Sequence, residues 1–166
     1  MKHLKSLLFT ITLFIGMAVA SAQVGHINSE ELVKAMPETT QMQNELKRLS
    51  QNFDNDYKAQ ATELQAKLKK YQEEAQTKSN DENEKRQQEV GELDQKLKLY
   101  LRSAQEELQK KEFELLKPII EKAQKAIKDV AKDKGVKYVF DSAPGKGLII
   151  FEGDDLMTAV KTKLGI

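Results

Sequence analysis

The chain has 166 residues with no cysteine and no tryptophan, and it carries 27 basic against 26 acidic side chains. The missing cysteine excludes disulfides, thiolate metal sites and thiol catalysis. So even a charge balance is a poor footprint for nucleic acid, which needs a basic surface to release counterions, and no nucleic-acid partner is expected.

Residues 1–22 are expected to be a signal peptide that is removed. Lys2 and Lys5 form a positive start, residues 7–20 are uncharged and mostly apolar, and Ala20-Ser21-Ala22 is a small-residue cleavage site. The apolar run is short for a bilayer span of about 20 residues. The product is therefore expected to be soluble outside the cytoplasm. Setting aside Lys2 and Lys5 leaves 25 basic against 26 acidic side chains.

Residues 23–28 read as a short strand with Val24 and Ile27 as its strongest apolar members, and His26 is the only histidine beyond the signal peptide. Asn28 or Ser29 is a good helix cap for a short turn beginning at Glu31 or Leu32, and Pro37 opens a new segment. Two long helical stretches follow, 38–78 and 84–134, with an apolar stripe repeating about every eleven residues. On the first it is Met42, Leu46, Leu49, Phe53, Tyr57, Leu64, Leu68, Tyr71 and Ala75. On the second it is Leu93, Leu97, Tyr100, Ala104, Leu108, Leu115, Ile119 and Ala126. Spacings of three and four put these side chains on one face of each helix. An eleven-residue period corresponds to about 3.67 residues per turn, which predicts a nearly straight antiparallel hairpin. The polar run 78–83 is its tip. Gly91 is a weak point near the tip, and Pro118, which cannot donate to the Glu114 carbonyl, predicts a hinge near the base. From Phe113 onward the apolar face widens, so the base of the second helix should be buried on more than one side.

Gly135 ends that helix. Residues 136–141 and Leu148-Ile149-Ile150-Phe151, joined by Ser142-Ala143-Pro144-Gly145-Lys146-Gly147, predict a β-hairpin whose second strand is buried on both faces. A last helix over 156–164 follows, capped by Asp154 or Asp155. The expected fold class is α+β, mainly helical: a long helical hairpin, 37–116, on a small β-body made of 23–36 and 117–166. A body this small is marginal alone. Its apolar surface predicts an oligomerisation core shared between subunits and built from Val24, Ile27, Ile119, Ile120, Tyr138, Phe140, Leu148, Ile149, Ile150 and Phe151.

Nothing in the chain suggests catalysis. It offers no Ser/His/Asp set and no metal-ligand cluster, and Gly145-Lys146-Gly147 lacks the spacing of a phosphate loop, so no enzyme activity, cofactor or metal is expected. The basic spots at Lys67, Lys69, Lys70 and Lys85-Arg86 read as solvated helix faces.

Several strings in fixed order resemble one family. They are Ala22-Gln23-Val24-Gly25 to Asn28, Lys117-Pro118-Ile119-Ile120 through Ala126-Ile127, Val130-Ala131 and Gly135, and Tyr138-Val139-Phe140-Asp141. Leu148-Ile149-Ile150-Phe151 and the ending from Asp155-Leu156 to Leu164-Gly165-Ile166 complete the set. Along nearly all of the chain beyond residue 22 this resembles the Skp/OmpH family of periplasmic chaperones. The resemblance implies a homotrimer whose β-core is built from three chains and whose helical arms enclose a cavity for unfolded outer-membrane β-barrel proteins, without ATP. Well-known members are strongly basic and this chain is not, so a lipid or lipopolysaccharide contact is left unassigned. Leu99, Leu101 and Phe113, outside the hairpin seam, are the candidate client contacts. The alternative function is a coiled-coil spacer or scaffold of the cell envelope.

Overall fold

The computed structural model describes residues 23–166, so the expected signal peptide lies outside the described residues. The elements run β1 (Val24–Ile27), α1 (Ser29–Ala35), α2 (Pro37–Glu74), a 3-10 turn (Ala75–Thr77), α3 (Asn80–Asp133), β2 (Tyr138–Asp141), β3 (Asp154–Asp155) and α4 (Met157–Leu164). This is the mainly helical α+β class read from the sequence. The described chain forms two compact units, one of residues 23–29 with 126–165 and one of residues 30–125.

The second unit is a helical hairpin. Pro37 occupies the first turn of α2, where its missing N–H costs nothing. Thr39 is buried there, its hydroxyl donating to the Val33 carbonyl. The 38 residues of α2 make a rod about 57 Å long. Cross-helix pairs set the antiparallel register: Lys122 with Glu38, Lys111 with Glu45, Tyr100 with Asp56, Lys67 with Glu89 and Arg86 with Glu74. As one number rises the other falls, which is what two stripes zipped in opposite directions require. The tip is tighter than the run 78–83 predicts. The Ser79 hydroxyl accepts from the Glu82 N–H at 3.2 Å, and Asn83 Nδ2 donates to the Ala75 carbonyl at 2.9 Å. That cap, with Asp81 and Glu82 in the first turn, draws residues 80–83 into α3. The helix then continues unbroken to Asp133 with Pro118 inside it.

The other unit holds a three-stranded sheet in the order β2-β1-β3, with β1 parallel to both neighbours. Here the expected hairpin is corrected. Residues 136–141 contribute β2, yet residues 148–151 form no strand, and β1's second partner is the short β3. Two facts explain the difference. The chain between β1 and β2 is a long helical connection, which is the connection that parallel pairing demands. Ser142 N–H donates to the Ile27 carbonyl, the last bond of the β1–β2 ladder, and the Lys146 N–H then bonds the Ala143 carbonyl in a turn, so β1 already has β2 on one edge and β3 on the other.

The inner face of the sheet packs closely. A Cβ on Gly25 would lie 3.2 Å from a Val136 methyl and 3.3 Å from one of Leu156, so any larger residue on β1 would push these buried neighbours back by a few tenths of an ångström. Ile27, Ala126, Val130, Val136, Leu156 and Val160 are buried in this unit. Gly135, at φ 71°, turns the chain out of α3 as its sequence position predicts. Asp155 Oδ1 accepts from Met157 N–H at 2.8 Å and caps α4.

A carboxylate closes the sheet to α1. Asp141 accepts from the Ser29 hydroxyl at 2.5 Å, the Ser29 N–H at 3.1 Å and the Ala143 N–H at 3.0 Å. Burial alone would raise its pKa, but the Ser29 hydroxyl and the two N–H groups outweigh it and hold Asp141 below the ordinary carboxylate range. Because the folded pKa is depressed, the charged clamp stabilises above the unfolded value and is lost as pH falls through the lower folded one. Asp141→Asn should therefore cost about 2 kcal/mol in denaturant unfolding at pH 7, and the gap to the parent chain should close below about pH 3.8. A gap that does not narrow at all as pH falls below about 3.8 would assign the loss to shape instead of charge. At Gly91, where a Cβ would meet nothing within 4 Å, Gly91→Ala should raise hairpin stability by about 0.5–1 kcal/mol in thermal unfolding.

Candidate functional site

The chemistry-bearing surfaces lie on the two units separately. In the sheet unit, β-strand alternation puts Gly25, Ile27 and Val139 inward and leaves Val24, His26, Tyr138 and Phe140 on the outer face. Val24, Tyr138 and Phe140 are exposed. Residues 148–153 run over this face. The Phe151 ring lies 4.5 Å from the His26 ring, tilted by 54°, and a Cβ on Gly153 would be 2.7 Å from the Val24 carbonyl oxygen. The crossing leaves a hollow of about 380 Å3 lined by Val24, His26, Phe140, Leu148, Ile150 and Phe151. Burial of the 148–151 run on both faces is not what this chain achieves alone: Leu148 is half-buried, Phe151 is exposed, and Ile149 and Ile150 are 90% and 80% exposed. The reason is that the run lies across the sheet without a ladder to join it.

Of the ten residues expected in an oligomerisation core, Ile27 and Ile119 are buried within the single chain. Val24, Ile120, Tyr138, Phe140, Ile149, Ile150 and Phe151 are exposed, and Leu148 lies between these classes. The sequence pattern missed His26, whose ring lies on the middle strand and whose Nδ1 is buried without a hydrogen-bond partner among the described residues. Its place opposite Phe140 in the β1–β2 register could not be read before the pairing was known.

In the hairpin unit the seam is thin. Leu46, Phe53, Tyr57, Leu64, Leu93 and Leu97 are only half-buried, and Ala104 and Ile119 are the seam residues of α3 that are fully covered. Phe53 meets Tyr100 edge-on at 6.2 Å between ring centroids. Leu68, expected in the seam, is exposed beside a groove of about 380 Å3 that Tyr71, Arg86 and Val90 also line.

Polar contacts clamp the tip. Glu89 accepts from Lys67 and from the Tyr71 hydroxyl, at 2.5 and 2.6 Å. The Arg86 guanidinium lies 4.5 Å above the Tyr71 ring, and its Nη2 reaches Glu74 at 2.9 Å and Glu82 at 3.1 Å. The Lys67 ammonium, with the Tyr71 hydroxyl, holds Glu89 below its usual range, and Glu89 in turn raises both Lys67 and Tyr71. Lys67 and Arg86, read as members of solvated basic spots, are therefore members of a cross-helix clamp. Outside the seam, Leu99 and Phe113 are 63% and 69% exposed, and Leu101 is also exposed. Fourteen residues of α-helix bring Leu99 and Phe113 within about 40° of each other around the axis, while Leu101 points the other way.

The family profile described as outer membrane protein (OmpH-like) matches residues 23–164. The Chaperone protein Skp of Vibrio cholerae serotype O1 is 27% identical over 144 residues, which are 82% of this chain and 81% of that protein. The crystal structure described as an OmpH-like outer membrane chaperone from Caulobacter crescentus CB15 superposes with a TM-score of 0.76 at 16% identity, covering 87% of this chain and 85% of that one. At that identity the likeness is one of fold.

The clamp gives its own test. Glu89→Gln should raise amide hydrogen exchange several-fold in the tip segments around Lys67, Tyr71 and Glu89 while leaving residues 30–50 unchanged. In the parent chain the same loosening should set in as pH falls below about 4, since a depressed carboxylate gives up its contribution on the acid side. Unchanged tip exchange in the variant would show that the seam alone holds the tip.

Proposed function

Because this chain belongs to the OmpH-like outer membrane protein family, we propose that it is an ATP-independent holdase that shields unfolded outer-membrane β-barrel proteins in the periplasm. The observation that carries the reading is the exposure of Leu99, Leu101 and Phe113 on helices that are otherwise charged. Unpaired apolar side chains along a rod offer many weak contacts to a fluctuating client. Such contacts keep apolar segments of the client apart without ordering it, so little chain entropy is lost on either side.

Three arms are needed for weak contacts to add up, and the sheet supplies the reason to assemble. Parallel sheets occur almost only with both faces covered. Here the outer face with Val24, Tyr138 and Phe140 is open, and Ile149 and Ile150 project beside it. We assign copies of this chain as the cover, in a homotrimer whose arms bind one client together and gain affinity by effective concentration. Pro118, inside α3, is the proposed hinge that lets the arms adapt to client size. Export fits the signal peptide expected in residues 1–22, and no helix among the described residues is long and apolar enough to cross a membrane.

Native mass spectrometry of residues 23–166, alone and after dilution of a urea-unfolded outer-membrane β-barrel protein, tests both parts. A trimer carrying one client chain is the expected species. A trimer that ignores the client would favour an envelope scaffold, and a monomer would sink the shared core. The double variant Leu99→Asp, Leu101→Asp should weaken client binding by about tenfold, a loss of about 1.4 kcal/mol, with the trimer intact. Undiminished protection from aggregation would remove these side chains from the mechanism.

A further inference from the structure

His26 stands where an ionisable group is least expected, in the middle strand of the sheet and on its open apolar face. Its ring packs 4.5 Å from Phe151, and its Nδ1 is buried with no hydrogen-bond partner among the described residues. We propose that His26 makes assembly of this protein pH-sensitive: the neutral imidazole permits copies to close over the sheet, and protonation on mild acidification drives them apart. The inference rests on the reading that other copies of this chain cover this face.

The groups around the ring decide the sign. On β1 its neighbour on the same face is Val24, and across β2 it faces Phe140, with the Tyr138 phenol one register step away. On β3 the residue in register is Asp155, whose Oδ1 is already engaged by the Met157 N–H at 2.8 Å. From the crossing segment, Glu152 lines the same hollow. No lysine or arginine among the described residues lines it. Asp155 and Glu152 favour a proton on the ring, but both are exposed, so water and salt screen them in the free chain. Covering the face acts on the ring directly. The Nδ1 atom is already buried in the single chain and weighs equally in both states. What the cover adds is loss of the water that still reaches the half-buried ring, so an imidazolium is disfavoured in the closed assembly relative to the open chain. By linkage the assembly is stable at high pH and weakens as pH falls through the range, roughly pH 5 to 8, where imidazoles take up a proton.

This chain's depressed carboxylates make the window clean. Asp141 and Glu89 lie below their ordinary ranges and stay charged throughout it. Residues 23–166 should be followed by sedimentation velocity at pH 7.5 and pH 5.5, at fixed ionic strength, as the parent chain, His26→Phe and His26→Asn. A penalty of one pK unit per covered ring is about tenfold only well below both values, so between pH 7.5 and pH 5.5 the trimer constant should weaken by about a hundredfold. Both variants should lose that dependence. Equal assembly of the parent chain at the two pH values would overturn the switch and leave the trimer standing. A monomer already at pH 7.5 would overturn the shared face and the switch together. Acid dissociation of the variants as strong as that of the parent would assign the effect to another group. If neither variant assembles, the imidazole carbon shifts of the parent chain decide: a ring that titrates identically in concentrated and dilute protein refutes the proposal.

Discussion

β1 lies between two parallel strands that the chain delivers more than a hundred residues later, and the sheet unit cannot form until they arrive. Ser29 and Asp141, bonded through both hydroxyl and N–H, are 112 residues apart in sequence. Closing a loop that long from a flexible chain is entropically costly, and parallel pairing makes the contact obligatory instead of optional. The intervening chain removes most of the cost by being a helical hairpin. Lys122 pairs with Glu38, so the formed hairpin holds the return helix beside the start of the outgoing one. A crossover that is itself ordered turns a long-range contact into a nearly local one.

The helical part of this arrangement is legible because its signals are local. Periodic apolar residues, the long stretch of α2 free of glycine and internal proline, and Gly135 beyond α3 each act within one or two turns. The sheet was misread because its signals are not local. The run Leu148-Ile149-Ile150-Phe151 has strand composition, and the turn formers before it suggest a hairpin. Strand composition reports only that a segment suits a pleated surface, whereas pairing depends on which edge is free. With β2 and β3 flanking β1, the apolar run lies over the sheet instead of within it. β3 escaped notice for the opposite reason, since two aspartates form a strand through their backbone alone. Lys67 and Arg86 show a further limit: composition marks a charge as solvated, but only the register between helices reveals Glu89 and Glu74 as their partners.

The hairpin and the sheet keep apolar surface exposed in different ways. On α3, Leu99, Leu101 and Phe113 stand singly among charges, and isolated exposed apolar side chains are ordinary on any protein surface. Such spacing suits contacts that form and break one at a time. On the sheet, Val24, Tyr138, Phe140, Ile150 and Phe151 belong to one unit and gather around a single face. A contiguous patch marks a lasting interface more than a transient one. The two exposures thus differ in kind: single side chains spread along the hairpin, and a patch gathered on the sheet.

The thinness of the seam follows from the same division. Fully burying a leucine or phenylalanine side chain contributes about 1.5–3 kcal/mol, and half-burial contributes correspondingly less. Leu46, Phe53, Leu64 and Leu97 are all half-buried, so two long helices meet over a narrow strip and depend on cross-helix polar contacts for register. Exposed ion pairs add little each, yet they are directional, and a slip of one helical turn would separate Lys111 from Glu45 and Arg86 from Glu74 together. The Arg86 guanidinium strengthens this by meeting an aromatic face and two carboxylates at once. A hairpin held in register by polar contacts and in association by a narrow apolar strip can bend without coming apart, because bending costs little packing while slipping breaks every pair. That combination is what a rod needs if it is to close on partners of varied size and still return to one shape.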